Sequence, residues 1–454
     1  MKKRILVLAA ACCLALGAHA APPPAYFVDA DKLPFAAIAG IETERVWGVH
    51  NGAGYRIEVP ANWNGRLVIW AHGYRGDPAT DPGALELTVD NHPLRPFLVS
   101  QGYAWAASSY SRNAYDPSQG AKDSHALSKF FSGRFGKPEK TYITGASMGG
   151  HVTTVMAEQW PHSYAGAMPI CGVMGDYELF DFFLDFNVAA QTLSGMNQVY
   201  PYGPDYLSTT VPQTKDALAA IPGFFPYVLN GQGLAFKALV EQRSGGQRPL
   251  FEQGFQFWNG VAGDFLFGLG VGDGTLPRQP GVAVQNTDVT YQFDADPALS
   301  PEETAFNDMV QRVYADPQAR RRNGLANVTP TPGDLKIPML TLHTLGDLFV
   351  PFHMQQEYAR RVSTKGASDL LVQRATRDFG HCTFTGSELV TTFVDLVSWV
   401  EAGVKPAGDA VLDPATVADP NFGCQFTSTL PGETRAWDNP FLAFLKPADC
   451  PAAP

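Results

Sequence analysis

The chain has 454 residues, of which 45% are hydrophobic, 12% aromatic and only 17% charged, and its formal net charge is −11. This composition excludes a disordered chain and a coiled coil, because the apolar content is ample to bury a core. The acidic balance disfavours nucleic acid or an anionic membrane surface as a partner, since both require a basic face. The sequence therefore predicts a globular protein.

Residues 1–20 have the pattern of a cleaved secretory signal peptide. Three cations at 2–4 precede a short apolar run at 5–16, and a small-x-small site ends at Ala20. Removing these cations changes the net charge from −11 to −14. The alternative is a lipoprotein signal that retains a cysteine at 12–13. Cleavage near Ala20 predicts a secreted or periplasmic protein.

The remaining chain alternates between predicted strands and helices. Two strands at 42–49 and 55–59, joined by the turn residues Asn51 and Gly52, are expected to form an antiparallel edge. Further strands are predicted at 67–71, 103–107, 141–144, 165–170, 338–342 and 369–375, and helices at 124–131, 148–159, 354–362 and 389–400. This alternation predicts a doubly wound, mostly parallel α/β sheet.

One long interval, 172–336, interrupts the alternation. It contains aromatic-rich pieces and a helix capped by Ser300, but no clear core strand. A structureless loop of this length is uncommon in a compact domain. We therefore expect a large, mainly helical cap insertion between two parts of the core, 21–171 and 337–404, with a C-terminal tail at 405–454.

The segment Gly-Ala-Ser-Met-Gly at 145–149 lies between a predicted strand and a predicted helix. This G-x-S-x-G pattern in a strand-turn-helix context is typical of a nucleophile elbow, where the glycines allow strand and helix to approach closely. Ser147 is therefore the candidate nucleophile. The alternative is a glycine-rich turn in which Ser147 merely begins the helix.

With this motif the chain resembles the α/β-hydrolase superfamily, and the resemblance extends over most of 67–400. The family order is serine, acid, histidine. The segment 343–351 is similar to the family's acid loop, with Thr344 in place of the usual glycine, and this similarity implies that Asp347 is the acid. The alternative for Asp347 is a capping role for the helix that follows.

The candidate base is His381, which follows the last predicted strand on a glycine-containing loop. It would accept the serine proton while Asp347 fixes its tautomer. Asp378 is the second candidate for the acid. His343 and His353 are interpreted as structural residues because one ends a strand and the other begins a helix.

The resemblance also implies an oxyanion hole. Its expected donors are the backbone N–H groups of Met148 and of Tyr74, the latter in a His-Gly-x-x-Gly loop after the strand at 67–71. Arg75 and His151 are candidate substrate-binding residues at the mouth of the site, although His151 also fits a packing role.

Four cysteines lie beyond the predicted signal peptide, without metal-binding spacing, so disulfides are expected after export. Cys424 with Cys450 is the favoured pair because the two are close in sequence. Cys171 with Cys382 is possible, although Cys382 could also hold the tail. The tannase and feruloyl-esterase family joins cysteines beside its serine and histidine, but Ala146 precludes that bond here.

These features favour a serine hydrolase that cleaves carboxylic esters through an acyl-enzyme. The alternatives are a peptidase of prolyl-oligopeptidase type, a polyester depolymerase, a lactone or carbon–carbon (ketone) hydrolase, and a non-catalytic secreted binding protein. No cofactor or metal is expected. The expected partner is a small-molecule or polymeric ester, and no membrane span is predicted.

Overall fold

The computed structural model describes residues 25–451 except 79, 199, 270–281 and 321–327. The predicted signal peptide at 1–20 lies outside these residues. Eight strands form one sheet in the order β1-β2-β4-β3-β5-β6-β7-β8. The strands are β1 Thr43–His50, β2 Ala53–Pro60, β3 Arg66–Ala71, β4 Ala104–Ser108, β5 Lys140–Ala146, β6 Gly166–Ile170, β7 Met339–Thr344 and β8 Leu371–Thr376.

The first two strands form the predicted antiparallel edge. They pair from Thr43 with Pro60 to His50 with Ala53, and β2 pairs antiparallel with β4. The turn between them places Asn51 and Gly52 at φ 52° and 82°, as a type I′ hairpin requires. All other strand pairs are parallel.

Helices cover both faces of the sheet. The core helices are α1 Arg95–Ser100, α2 Pro117–Phe135, α3 Met148–Gln159, α10 His353–Thr364 and α11 Gly386–Ala402. Side chains of α2, α3 and α10 contribute to one apolar layer, and those of α1 and α11 contribute to the layer on the opposite face. This topology confirms the predicted α/β-hydrolase fold.

For two of the predicted elements, the structure shows why the first residue differs from the prediction. The helix predicted at 124–131 begins at Pro117, because Asp116 accepts the backbone N–H of Gln119 and Pro117 suits the first helical turn. The last strand, predicted at 369–375, begins at Leu371, because a short 3₁₀ turn at Ser368–Leu370 precedes it.

The interval between β6 and β7 is helical. Its helices are α4 Glu178–Leu193, α5 Val211–Leu218, α6 Gly231–Arg243, α7 Phe251–Gln256, α8 Phe265–Leu269 and α9 Pro301–Met309. Its described residues contain no strand of the sheet. Ser300 caps α9 through a capping box with Glu303, as expected.

The tail after α11 contains one short helix, α12 Pro414–Val417, and otherwise loops. Buried Arg435 of the tail forms an ion pair with Glu388 of α11, which attaches the tail to the core. Among the described residues, no helix is long and apolar enough to cross a membrane.

Candidate active site

Ser147 occupies a sharp turn between β5 and α3. Its backbone angles are φ 60° and ψ −123°, which a residue with a side chain rarely adopts. A Cβ atom on Gly149 would lie 2.0 Å from the carbonyl oxygen of Ala71, and one on Gly145 would lie 2.3 Å from that of Gly149. Only glycine fits at these two positions, so the predicted strand-turn-helix arrangement is present around Ser147.

Asp347 and His381 meet at the carboxyl ends of β7 and β8. The His381 Nδ1 atom lies 2.5 Å from Asp347 Oδ2. The other Asp347 oxygen accepts the backbone N–H groups of Phe349 at 2.9 Å and Val350 at 3.0 Å. Because Asp347 is fully buried, its contact with His381 is shielded from water.

Asp378, the second candidate acid, does not contact His381. One of its oxygens accepts the backbone N–H of Gly380 at 3.0 Å, and Arg435 lies 3.9 Å from the other. Burial raises the pKa of Asp378. Of the two candidate acids, only Asp347 therefore contacts the imidazole.

No hydrogen bond joins Ser147 to His381 in the part of the chain that the structure describes. The His381 Nε2 atom lies 3.4 Å from Cys382 Sγ. The ring of Phe349 lies 4.9 Å from the His381 ring and also lines the cavity that contains Ser147. Catalytic hydrogen bonds of this kind often tighten only in the complex with substrate.

The loop after β3 lies against the serine. A Cβ atom on Gly73 would be 3.2 Å from Ser147 Cβ and 3.7 Å from Oγ. Tyr110 holds this loop, since its hydroxyl donates to the His72 carbonyl at 3.0 Å and its ring stacks on the His72 ring at 3.8 Å. Sequence analysis missed Tyr110, because no local motif indicates this long-range contact.

Two groups beside Ser147 fit the expected oxyanion donors. Met148 begins α3, where backbone N–H groups have no partner within the helix and the helix dipole is positive. Tyr74 lines the same cavity as Ser147. Burial raises the pKa of the Tyr74 side chain to about 12, so this phenol stays neutral at physiological pH.

A narrow cavity of about 30 Å³ adjoins Ser147. Its lining is almost wholly apolar and comes from both the core and the insertion: Tyr74, Tyr115, Ser147, Val173, Leu179, Phe180, Phe183, Leu269, Phe349 and Val350. A larger groove of about 620 Å³ near Asp409 contains none of the three candidate catalytic residues. Of these two cavities, the smaller one contains the candidate nucleophile.

The two candidate substrate-binding side chains, Arg75 and His151, both contact other residues of the protein. Arg75 forms an ion pair with Asp90 and donates to the Thr88 carbonyl. His151 is buried, its Nδ1 lies 2.9 Å from the Tyr115 hydroxyl, and its Nε2 lies 2.7 Å from the Thr329 carbonyl. With both ring nitrogens engaged, His151 has the packing role that sequence analysis also considered, and it orients the cavity residue Tyr115.

His343 and His353 are buried, as expected for structural residues. The His343 Nε2 atom lies 2.8 Å from the Val350 carbonyl, and its Nδ1 lies 3.2 Å from Gln355 Nε2. Burial lowers the pKa of His343 to about 4, so this ring is neutral at physiological pH.

Both predicted disulfides are present, Cys171–Cys382 and Cys424–Cys450. Cys171 follows β6 and Cys382 follows His381, so the first bond joins the base loop to the strand beside the elbow. Among the described residues, Cys171, His381 and Cys382 are also the one group close enough to hold a metal. Because the two sulfurs are bonded to each other, they offer no thiolate ligand.

Comparison with known proteins finds similarity to an amidase and to solved structures of an esterase and a peptidase. No family model matches the chain. An o-phthalyl amidase from Xanthobacter agilis is 22% identical over 414 residues, which cover 80% of this chain and 89% of that protein.

Solved structures are similar at lower identity. A feruloyl esterase B from Aspergillus oryzae matches with a TM-score of 0.39 and 13% identity, covering 84% of this chain and 85% of that one. An acylaminoacyl peptidase from Pyrococcus horikoshii matches with a TM-score of 0.35 and 10% identity. That match covers 78% of this chain but only 38% of the peptidase.

Proposed function

We propose that this protein, a member of the α/β-hydrolase superfamily, cleaves a carboxylic ester through an acyl-enzyme on Ser147. The observation that carries the proposal is the contact between His381 and buried Asp347, on loops at the same sheet edge as the strained Ser147. The candidate nucleophile, acid and base follow one another along the chain in the order that is typical of this superfamily.

In this mechanism His381 accepts the Ser147 proton as Oγ attacks the carbonyl carbon of the substrate. The Asp347 carboxylate accepts a hydrogen bond from the Nδ1–H group of His381 and stabilises the imidazolium. The N–H groups of Met148 and Tyr74 donate to the oxyanion. The imidazolium then protonates the leaving alcohol, and water attacks the acyl-enzyme by the same route to release the acid and regenerate Ser147.

The two sides of the site suit different parts of the substrate. His381 must protonate the leaving group, so that group lies on the side of His381. The acyl group then enters the cavity lined by Tyr115, Phe180 and Phe183. A cavity of about 150 Å³ accommodates benzene, whereas this one measures about 30 Å³, so we propose a compact acyl group.

Amide cleavage is the second candidate. It is favoured by the similarity to an o-phthalyl amidase over most of both chains. The same residues would act, with an amine as the leaving group.

The two disulfides fit an oxidising compartment, which supports the export that we propose from residues 1–20.

A fluorophosphonate probe tests the proposal directly. We expect it to label the wild-type protein at Ser147 and to leave Ser147→Ala unlabelled, with peptide mapping as the measurement. Labelling at another serine would contradict the assignment of the nucleophile. An unlabelled wild-type protein would favour the non-catalytic binding protein.

Paired substrates then separate the two candidate reactions. Aryl esters and anilides that share one acyl group differ only in the bond to be cleaved. Ester turnover far above anilide turnover would support the first candidate, and the reverse would support the second. Polyester oligomers and peptide amides complete the panel.

A further inference from the structure

Two side chains from the insertion donate hydrogen bonds to the loops that carry the acid and the base. Arg248 Nε donates to the Leu345 carbonyl at 2.8 Å. Trp258 Nε1 donates to the Phe379 carbonyl at 3.0 Å. Each acceptor lies two residues before a candidate catalytic residue, since Asp347 follows Leu345 and His381 follows Phe379 at that spacing.

Burial makes these two bonds costly to lose. Arg248 and Trp258 are only 5% and 7% exposed. A buried carbonyl that loses its donor is left unsatisfied, because water does not reach it to form a replacement hydrogen bond. Water therefore cannot easily replace either bond, and each one restrains the backbone of its catalytic loop.

Neighbouring groups hold the Arg248 guanidinium in one orientation. Its Nη1 donates to the Gly246 carbonyl at 2.8 Å, and its Nη2 donates to Ser244 Oγ at 3.1 Å. It also lies 5.2 Å from the centre of the Phe251 ring. Three of its donor groups thus have acceptors, and the Leu345 carbonyl receives its bond from a fixed donor.

The backbone of the insertion also lies directly on the acid loop. A Cβ atom on Gly254 would lie 2.1 Å from the carbonyl oxygen of Gly346, so only glycine permits this approach. The Gly346 N–H in turn donates to the Asp378 carbonyl at 2.9 Å. Insertion, acid loop and base loop therefore form one continuous hydrogen-bonded stack.

We infer that residues 248–258 act as a positioning clamp for the Asp347–His381 pair. This inference rests on the proposed function. None of residues 248–258 lines the cavity beside Ser147, and the clamp acts through the backbone of the two loops. Small displacements of catalytic groups lower turnover steeply, by up to about a hundredfold for 1 Å. Loss of a clamp bond should therefore lower kcat and leave KM unchanged.

Trp258→Phe tests the clamp because it removes the N–H donor and keeps an aromatic ring. The matched control is Trp63→Phe, since Trp63 Nε1 donates to the Arg66 carbonyl at 2.8 Å near the amino end of β3, away from the site. With a small aryl acetate, we expect about a tenfold lower kcat for Trp258→Phe, an unchanged KM, and normal kinetics for Trp63→Phe. The proton between His381 and Asp347 gives a far-downfield resonance in the proton NMR spectrum. This resonance should shift or broaden only in Trp258→Phe.

Arg248→Lys provides a second variant that retains the charge but lacks the planar fork. It should also lower kcat at constant KM. Normal kcat in both variants, or a raised KM with normal kcat, would overturn the clamp. If the wild type is not labelled by the fluorophosphonate probe, the proposed function fails, whereas a labelled wild type with normal variants overturns the clamp alone.

Discussion

Backbone strain at a single residue distinguishes Ser147 from an ordinary helix-capping serine. Its φ of 60° costs on the order of 1–3 kcal/mol, and such strain persists only where the surrounding structure enforces it. The N-cap serine of α9, Ser300, instead has a relaxed φ of −66° and its side chain accepts the N–H of Glu303. At Ser147 the side chain makes no capping bond, which leaves Oγ available as a nucleophile.

At the same scale, Asp347→Asn and His381→Ala should each lower kcat by roughly 10³-fold or more while the fold persists, because triad residues act as a unit. An asparagine cannot stabilise the imidazolium, and an alanine cannot accept the serine proton. Steady-state kinetics measures kcat for each variant, and circular dichroism checks that the variant is folded. Near-normal turnover in Asp347→Asn would move the acid role to Asp378.

At the scale of elements, α4 contributes Leu179, Phe180 and Phe183 to the lining of the cavity beside Ser147. Phe180 and Phe183 line the cavity, whereas Phe186 of the same helix packs against Phe236 and Phe267 inside the insertion. The packing partners of Phe186 belong to the insertion's own core. Removing a ring that lines the cavity should therefore change substrate selectivity. Removing a ring that packs only inside the insertion should change only stability.

We expect Phe183→Ala to raise the rate with benzoyl or butyryl esters relative to acetyl esters by about tenfold, which is the effect of a methylene or two in a pocket. Phe186→Ala is the matched control and should leave this ratio unchanged, although both variants lose stability. An acyl-chain series on the two purified proteins measures the ratio. Equal ratios in the two variants would place the acyl group elsewhere.

The sequence predicts the elements of the core better than the orientation of the insertion. Strands and the elbow carry local signals, such as apolar runs and the glycines beside Ser147. In α4, every residue from Leu179 to Gln191 is buried, so no amphipathic pattern shows which ring faces the serine. The bond from Arg248 to Leu345 spans 97 residues, and no local pattern indicates it.

The same limit applies to the aromatic residues at 251–267 of the insertion, whose positions the sequence pattern does not indicate. Phe251, Phe255 and Phe267 are buried in the apolar core, and Leu269 of α8 reaches the cavity instead. Trp258 bonds to the base loop rather than lining the cavity. The aromatic composition therefore indicated a packed insertion, but it could not separate lining residues from core residues.

At the scale of the whole molecule, the two disulfides constrain very different lengths of chain. Cys171–Cys382 joins residues 211 positions apart and so encloses the entire insertion together with the acid loop. Cys424–Cys450 encloses only 26 positions of the tail. The entropy that a disulfide removes from the unfolded chain increases with the logarithm of the enclosed length.

The long-range disulfide should therefore stabilise the protein more than the tail disulfide, by about 2 kcal/mol in this chain-entropy relation. We expect Cys171→Ser with Cys382→Ser to lower the free energy of unfolding more than Cys424→Ser with Cys450→Ser, measured by urea titration of each purified double variant. The tail pair is the matched control, because it loses the same chemical bond. A smaller loss in the long-range variant would mean that its unfolded chain is already compact, since residual structure weakens the entropic effect.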